Sequence, residues 1–358
     1  MSGEGPPRGA NSAPAGGSAA AKPQAWGGHS AATHLPDLAA IRAAQARIAP
    51  YVHRTAVMTC GAIDDEVGAS LFFKCEHLQK VGAFKARGAC NAVFALDEAA
   101  ASKGVVTHSS GNHGAAVAYA ARRRGIPAYV VMPENAPEVK QANVRRFGAR
   151  VRLCTPTLAA RESACDALLG ETGATLIHPF DDAQVIAGQA TAAVELLEAV
   201  PDLDALVAPC GGGGLLSGTA IAAASLAPGI RVLGAEPANA DDAARSFASG
   251  HVEPVPATTT IADGLRTTLS ARTLGAIRAH VEAIGTCSEV GILHAMRMIF
   301  ERMKQVVEPS SAVPLACLLE RTLDVRGTRV GIVVTGYTNG RGEAVRGLGG
   351  GFRFLEVT

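Results

Sequence analysis

The chain has 358 residues, enough for roughly two domains at about 150 residues each. With 48% apolar and 18% charged residues it has a globular composition, which excludes a wholly disordered protein. Lys and Arg number 33 against 32 Asp and Glu, a formal charge of +1, so neither a nucleic-acid polymer nor a membrane surface is an expected partner.

Residues 1–36 stand apart, because 25 of the 36 are Gly, Ala, Ser or Pro. Such a segment buries too little apolar surface to offset its ordering entropy, and a disordered low-complexity tail is expected. It has no basic region followed by an apolar one, hence no secretory signal. A transit peptide is the alternative: the tail is poor in acids, but Arg8 and Lys22 are its only Lys or Arg. The expected location is cytoplasmic, with organellar transit left open. No run approaches the roughly 18 apolar residues of a membrane helix. The eight cysteines (Cys60, Cys75, Cys90, Cys154, Cys165, Cys210, Cys287 and Cys317) form no CxxC pair and read as reduced, mostly buried thiols.

From Leu38 onward short apolar runs alternate with Ala-rich helical patterns. Strands are expected at Leu71–Lys74, Val105–Thr107, Ala128–Met132, Val151–Leu153, Thr175–Ile177, Ala205–Pro209, Val232–Glu236 and Val330–Val334. Between them the pattern predicts helices that include Phe84–Ala95, Ala115–Arg124, Pro137–Phe147, Leu158–Gly170, Ile186–Val200 and Leu215–Leu226. This alternation predicts an α/β fold of parallel-rich open sheets covered by helices. Ligands of such sheets bind beyond the carboxyl ends of the strands, so the residues just after each strand carry most information.

At the start of the helix expected at Phe84–Ala95, Lys85 lies among Val81, Ala83, Phe84 and Ala86. It is either a surface lysine at a helix start or a desolvated amine, which would be a nucleophile toward carbonyls. After Val105–Thr107 comes His108-Ser-Ser-Gly-Asn-His-Gly114, with five polar residues in six positions. A helix cap accounts for one of them; the crowd suits a ligand carboxylate or ring oxygen.

After Ala205–Pro209 four glycines, Gly211, Gly212, Gly213 and Gly214, open a helix. Their N–H groups and the helix dipole make a phosphate cradle, the alternative being a flexible turn. The spacing fails G-x-G-x-x-G, since the sixth residue is Leu216 or Ser217, and no Lys completes a P-loop. A monophosphate fits better than a nucleotide. After the last strand, Thr335 could offer a hydroxyl.

A monophosphate cradle, a candidate Schiff-base lysine and an Asn/Ser turn together describe a pyridoxal-phosphate site. The motifs F-F-K-C-E, G-A-F-K-A-R-G, T-H-S-S-G-N-H-G, G-G-G-G and E-P-A-N-A-D-D lie between about residue 40 and residue 335. Jointly they resemble the serine racemase and catabolic serine/threonine dehydratase family, of the tryptophan-synthase-β-like fold (fold type II).

The resemblance implies pyridoxal 5'-phosphate as cofactor and an amino acid as substrate. Lys85 would bind the cofactor aldehyde and act as base on one face of Cα, with Ser110 as second acid/base on the other. Asn112 would bond the ring 3′ oxygen, Phe84 would pack beside the ring, Thr335 would face the pyridine nitrogen, and Gly211–Gly214 would wrap the phosphate. Ser109, Ser110, His113, Arg161 and Thr267 would contact the substrate carboxylate or close the site. Glu236, Asp242 and the Ala240 carbonyl match the family's divalent-cation site, and such oxygens suit Mg²⁺, Ca²⁺ or Mn²⁺. A dipole-favoured acidic helix start is the alternative for Asp241-Asp242.

The implied organisation is a large cofactor-binding domain of residues 37–106 plus 182–358, a small mobile domain of residues 107–181, and a homodimer. The implied activity is racemisation of serine with accompanying β-elimination. The alternatives are a serine/threonine or 3-hydroxyaspartate ammonia-lyase without racemisation, a cysteine-synthase-type β-replacement enzyme, or a non-catalytic binding protein. Two departures stand out. Thr335-Gly-Tyr-Thr-Asn-Gly340 replaces the family's S-G-G-N, and its bulky Tyr337 is expected to narrow the site or alter the pyridine contact. With the sequence ending at Thr358, no C-terminal regulatory extension is expected, and a feedback-regulated threonine dehydratase is the less favoured reading. Glu308-Pro-Ser-Ser-Ala312 is close to the family's E-P-[ST]-[AG]-[GA].

Overall fold

The computed structural model describes residues 1–3, 34–109, 111–255 and 257–337. Most of the low-complexity segment, Ser110 and Thr338–Thr358 lie outside them. Ten strands form two sheets: β1 (Val57–Met58), β2 (Ser70–Cys75), β3 (Val105–His108), β4 (Ala128–Pro133), β5 (Arg150–Cys154), β6 (Thr175–Leu176), β7 (Ala205–Pro209), β8 (Arg231–Pro237), β9 (Ala283–Cys287) and β10 (Arg329–Val334). One sheet runs β1-β2-β10-β7-β8-β9, parallel throughout except where β1 meets β2. The other runs β5-β4-β3-β6 and is wholly parallel.

All eight expected strands and all six expected helices form, with ends shifted by a few residues. Ile177, expected in β6, lies one residue past it but still donates its N–H to Val106 O at 2.9 Å. β3 spans Val105–His108, so a division at 106/107 falls within this strand.

Both faces of the larger sheet are covered, as buried parallel strands require. Leu71, Phe73, Val207, Leu233, Val330, Ile332 and Val334 pack on one side with the helices Glu289–Met298 and Pro309–Leu319. Leu206, Ala208, Val232 and Val333 face the other, against the helices Leu38–Ile48, Ala183–Ala199, Gly214–Leu226 and Ala271–His280. The period of two in β10 assigns alternate residues to opposite cores. Around the smaller sheet Val105, Val130 and Met132 join Ala89, Cys90 and Val93 of the helix Lys85–Ala95.

All eight cysteines are free; Cys60 and Cys154 are half-buried and the other six buried. Among the described residues no helix is long and apolar enough to cross a membrane.

Candidate active site

The segment after β2 turns back through Val81 (φ 57°) and Gly82 (φ 72°). It is clipped to the end of β10: Ala83 pairs with Gly336, the Phe84 N–H donates to Thr335 O at 2.9 Å, and the Tyr337 N–H to Gly82 O at 3.0 Å. The clip fixes where the next helix starts, and its first residue is Lys85. The Lys85 ammonium donates to Pro179 O at 2.8 Å and lies 5.1 Å from the Phe84 ring centre. Burial pulls its pKa down to about 8, against the opposing pull of Glu308. The lysine is therefore partly buried and easier to deprotonate than a freely solvated surface residue. The Tyr337 ring packs on Gly82, so its bulk bears on the turn leading to Lys85.

At the end of β3, the Ser109 N–H donates to Val131 O at 3.1 Å and its Oγ accepts from the Gly111 N–H at 3.2 Å. Asn112 and His113 open the helix Asn112–Arg124. Asn112 Nδ2 donates to Glu308 Oε2 at 3.0 Å. His113 is buried, with Nε2 3.1 Å from Ile177 O. A carbonyl only accepts, so Nε2 carries the hydrogen and Nδ1 is left as an acceptor with no partner among the described residues. Burial, then the nearby Lys85 charge, hold the ring neutral, well below the usual histidine range. In this tautomer the side chain cannot donate to a carboxylate.

The four glycines follow β7. Gly213 takes φ 84° and caps the helix Gly214–Leu226. A Cβ on Gly212 would lie 2.2 Å from the Phe180 ring, so the loop admits no side chain there. The leading N–H groups of this helix have no intrahelical acceptor, which with the dipole suits a phosphate. Pro179 and Phe180 thus connect the lysine and the glycines, one by its carbonyl and the other by its ring.

Thr335 is buried, its Oγ1 2.9 Å from Ser311 Oγ. Ser311 Oγ also donates to Gly336 O at 2.8 Å and accepts from the Gly336 N–H at 2.7 Å. Glu308 donates its N–H to Gly336 O at 3.0 Å. Burial pushes its carboxyl up to about 7 despite the Asn112 hydrogen bond. Arg161, on the helix Leu158–Thr172, is half-buried and close enough to His108 to help burial hold that ring at about 4. Thr267 is half-buried two residues beyond the turn Asp263–Leu265, which abuts Gly211. Lys140 Nζ reaches Asp263 in that turn at 2.6 Å.

Glu236, at the end of β8, and Asp242, which opens the helix Asp242–Ser249, are fully buried. Glu236 accepts from the Ala243 and Ala244 N–H groups at 3.1 and 2.8 Å. Both Asp242 oxygens lack a partner among the described residues, and burial raises both carboxyls, Glu236 to about 9 and Asp242 to about 7. Two buried carboxyl groups beside the buried Ala240, one of them with both oxygens unpartnered among the described residues, fit a hard cation bound through oxygen. Among the described residues no group of three or more His, Cys, Asp or Glu side chains is assembled for a metal, so such a cation would need the carbonyl and water.

Glu308, Ser311 and the Pro179 carbonyl are the site groups to which sequence reasoning gave no role. The first two stood in a motif whose spacing alone says nothing of their partners. A buried ion cluster was also missed. Arg87 binds Glu76 at 2.7 and 2.8 Å and Glu195 at 2.8 Å through each of two nitrogens, while Lys74 binds Glu195 at 2.6 Å.

The chain matches the family described as pyridoxal-phosphate dependent enzyme over residues 48–336. It is 49% identical over 317 residues to a serine racemase of Oryza sativa subsp. indica, covering 87% of this chain and 94% of that one. It is 48% identical over 303 residues to a beta-hydroxyaspartate dehydratase of Paracoccus denitrificans, covering 85% and 96%. Among solved structures, that of maize serine racemase superposes with a TM-score of 0.83 at 49% identity, covering 85% of this chain and 94% of that one.

Proposed function

The chain belongs to the family of pyridoxal-phosphate dependent enzymes, and we propose that it racemises serine and also eliminates its β-hydroxyl. The observation that carries this reading is the Pro179-Phe180 pair. It holds a desolvated lysine on one side and a side-chain-free helix start on the other, an amine and a phosphate cradle joined by one peptide. Pyridoxal phosphate, when bound, supplies an electron sink that acidifies the substrate Cα–H. Lys85 would hold its aldehyde, Gly211–Gly214 its phosphate, Asn112 its ring oxygen and Thr335 its ring nitrogen, with Phe84 alongside.

Once the substrate amine has taken its place at the aldehyde, the freed Lys85 amine would take the Cα proton from one face. Ser110, read from sequence alone, returns a proton on the other, giving the opposite enantiomer. Loss of the hydroxyl before that return gives elimination instead, with a keto acid and ammonia as products. Ser109, Arg161 and Thr267 would face the substrate. His113, with its hydrogen committed to Ile177, walls the site and does not bind the carboxylate through its side chain. Residues 107–181 would form the small mobile domain, closing over substrate to exclude water. The separate four-stranded sheet supports that division, and ion pairs from Arg124 to Glu98, Lys140 to Asp263 and Asp181 to Arg272 bridge it.

Glu236, Asp242 and the Ala240 carbonyl would hold Mg²⁺ or Ca²⁺, with waters completing the shell. A homodimer in a reducing, cytoplasmic setting completes the reading, in keeping with the free cysteines. Dehydration of 3-hydroxyaspartate is the second reading. Arg161 beside His108 adds a cation that a second substrate carboxylate could use, and the Paracoccus relative bears a hydroxyaspartate dehydratase name.

Lys85→Ala tests the assignment. The variant is expected to lose both the visible absorbance of lysine-bound cofactor and all turnover of serine. Full turnover in that variant would overturn the reading.

A further inference from the structure

A cofactor with an aldehyde at one end and a phosphate at the other has a fixed length. A protein that binds both ends must set the distance between its amine and its phosphate loop. Both groups begin a helix here: Lys85 opens Lys85–Ala95, and Gly214 opens Gly214–Leu226. Both helices rest on a third, Ala183–Ala199, in which every residue from Val185 to Leu197 is buried.

The two contacts are backbone on backbone. A Cβ on Gly188 would lie 2.6 Å from Gly88 Cα and 2.7 Å from Arg87 O. A Cβ on Gly218 would lie 2.7 Å from Ile186 O and 2.9 Å from Ala190 N. Each contact falls about one helical turn from the site, since Gly88 follows Lys85 by three residues and Gly218 follows Gly214 by four. The nearest atoms at Gly188 and at Gly218 are all backbone, which cannot swing aside to absorb a shift.

Polar groups lock the lysine's helix in the same seat. The Arg87 guanidinium grips both Glu195 oxygens at 2.8 Å and Thr191 Oγ1 at 3.1 Å, and the Gly88 N–H donates to Gln189 Oε1 at 3.2 Å. Just before the same helix, Pro179 O binds Lys85 and the Phe180 ring meets Gly212. One continuous segment, Pro179 to Glu195, therefore touches the amine, the phosphate loop and both of their helices.

We propose that Gly188 and Gly218 are positioning residues that set the separation between the Lys85 amine and the phosphate-binding glycines. This rests on the cofactor reading given above and extends it to residues that touch neither cofactor nor substrate. A methyl group at either position is expected to push one site helix outward by about 1 Å, a displacement that can cost about 100-fold in rate in a preorganised site.

The test compares Gly188→Ala and Gly218→Ala with Gly285→Ala. The last introduces an equally close clash, 2.6 Å from Leu323 Cγ, on the edge strand β9 away from the site. Cofactor affinity by equilibrium dialysis, the phosphorus-31 shift of the bound phosphate and thermal stability are measured on each folded protein. All three variants are expected to lose stability. Only the first two should also lose cofactor affinity, by at least about tenfold, with a shifted phosphorus resonance.

Gln189→Ala, which removes the acceptor of the Gly88 N–H and adds no clash, is the milder companion should the alanine variants fail to fold. A smaller loss of affinity is expected for it. Wild-type affinity and phosphorus shift in the folded Gly188, Gly218 or Gln189 variants would overturn the inference alone. Failure of the unaltered protein to take up cofactor would overturn the functional reading and this inference with it.

Discussion

The Glu308 carboxylate accepts a hydrogen bond of 3.0 Å from the Asn112 side chain, tying the loop after β3 to the residues that close over β10. The same carboxylate stands near enough to Lys85 to raise the pKa that burial lowers. Removing its charge should therefore let the lysine pKa fall further. In the apoprotein the rate of cofactor capture, which needs the free amine, is expected to rise with pH through about 8. In Glu308→Gln the inflection moves to lower pH. Stopped-flow absorbance across pH checks this, and an unmoved inflection counts against the coupling.

The Glu308 carboxyl is itself pushed up, from about 4.5 unfolded to about 7 folded. A group raised in this way contributes stability that is complete below its unfolded pKa and is lost as pH rises through the folded one. Between about pH 4.5 and 7 the protein is thus expected to lose stability through Glu308, and Glu308→Gln should flatten that part of the curve. Denaturation midpoints at pH 5 and 7.5, in wild type and variant, make the comparison.

Arg87, Lys74, Glu76 and Glu195 form a desolvated quartet in which each charge has an opposite partner. Glu195→Ala strands Lys74 beside Arg87, and breaking such a buried pair costs about 3–5 kcal/mol. Chemical denaturation is expected to show a loss of that size. A change below about 1 kcal/mol would mean that the cluster behaves like an exposed ion pair.

Much of this arrangement was legible in the sequence because strand-end chemistry is local. The Ser109–His113 segment and the four glycines closely follow the strands that deliver them, Lys85 opens the helix ten residues after β2, and the branched apolar runs mark those strands. β9 escaped because Ala283-Ile-Gly-Thr-Cys287 has no such run; pairing with β8 makes it a strand. β1, at two residues, is too short to show a period. The partners of Glu308 and Arg87 escaped for another reason. Asn112 lies 196 residues from Glu308, and Glu195 lies 108 residues from Arg87, so only the fold brings them together. The Pro179 carbonyl is a backbone atom that every residue carries, and no residue type announces it.

Asp242 presents two unpartnered oxygens at full burial beside Glu236. A divalent cation would relieve that repulsion, so added Mg²⁺ or Ca²⁺ should raise the melting temperature of the wild-type protein. Asp242→Asn removes one charge and is expected to melt higher than wild type without cation, and to gain nothing when cation is added. Scanning calorimetry with and without each cation decides it. An equal cation-induced rise in the variant would place the cation elsewhere.

The central claim, a two-faced proton transfer at Cα, is tested most directly by incubating L-serine with the purified protein, pyridoxal phosphate and Mg²⁺. D-serine is resolved by chiral chromatography and pyruvate is assayed alongside. The account predicts both products from the wild-type protein, and from Ser110→Ala pyruvate with no D-serine. Pyruvate alone from the wild-type protein, or D-serine formed at the wild-type rate by Ser110→Ala, would contradict it.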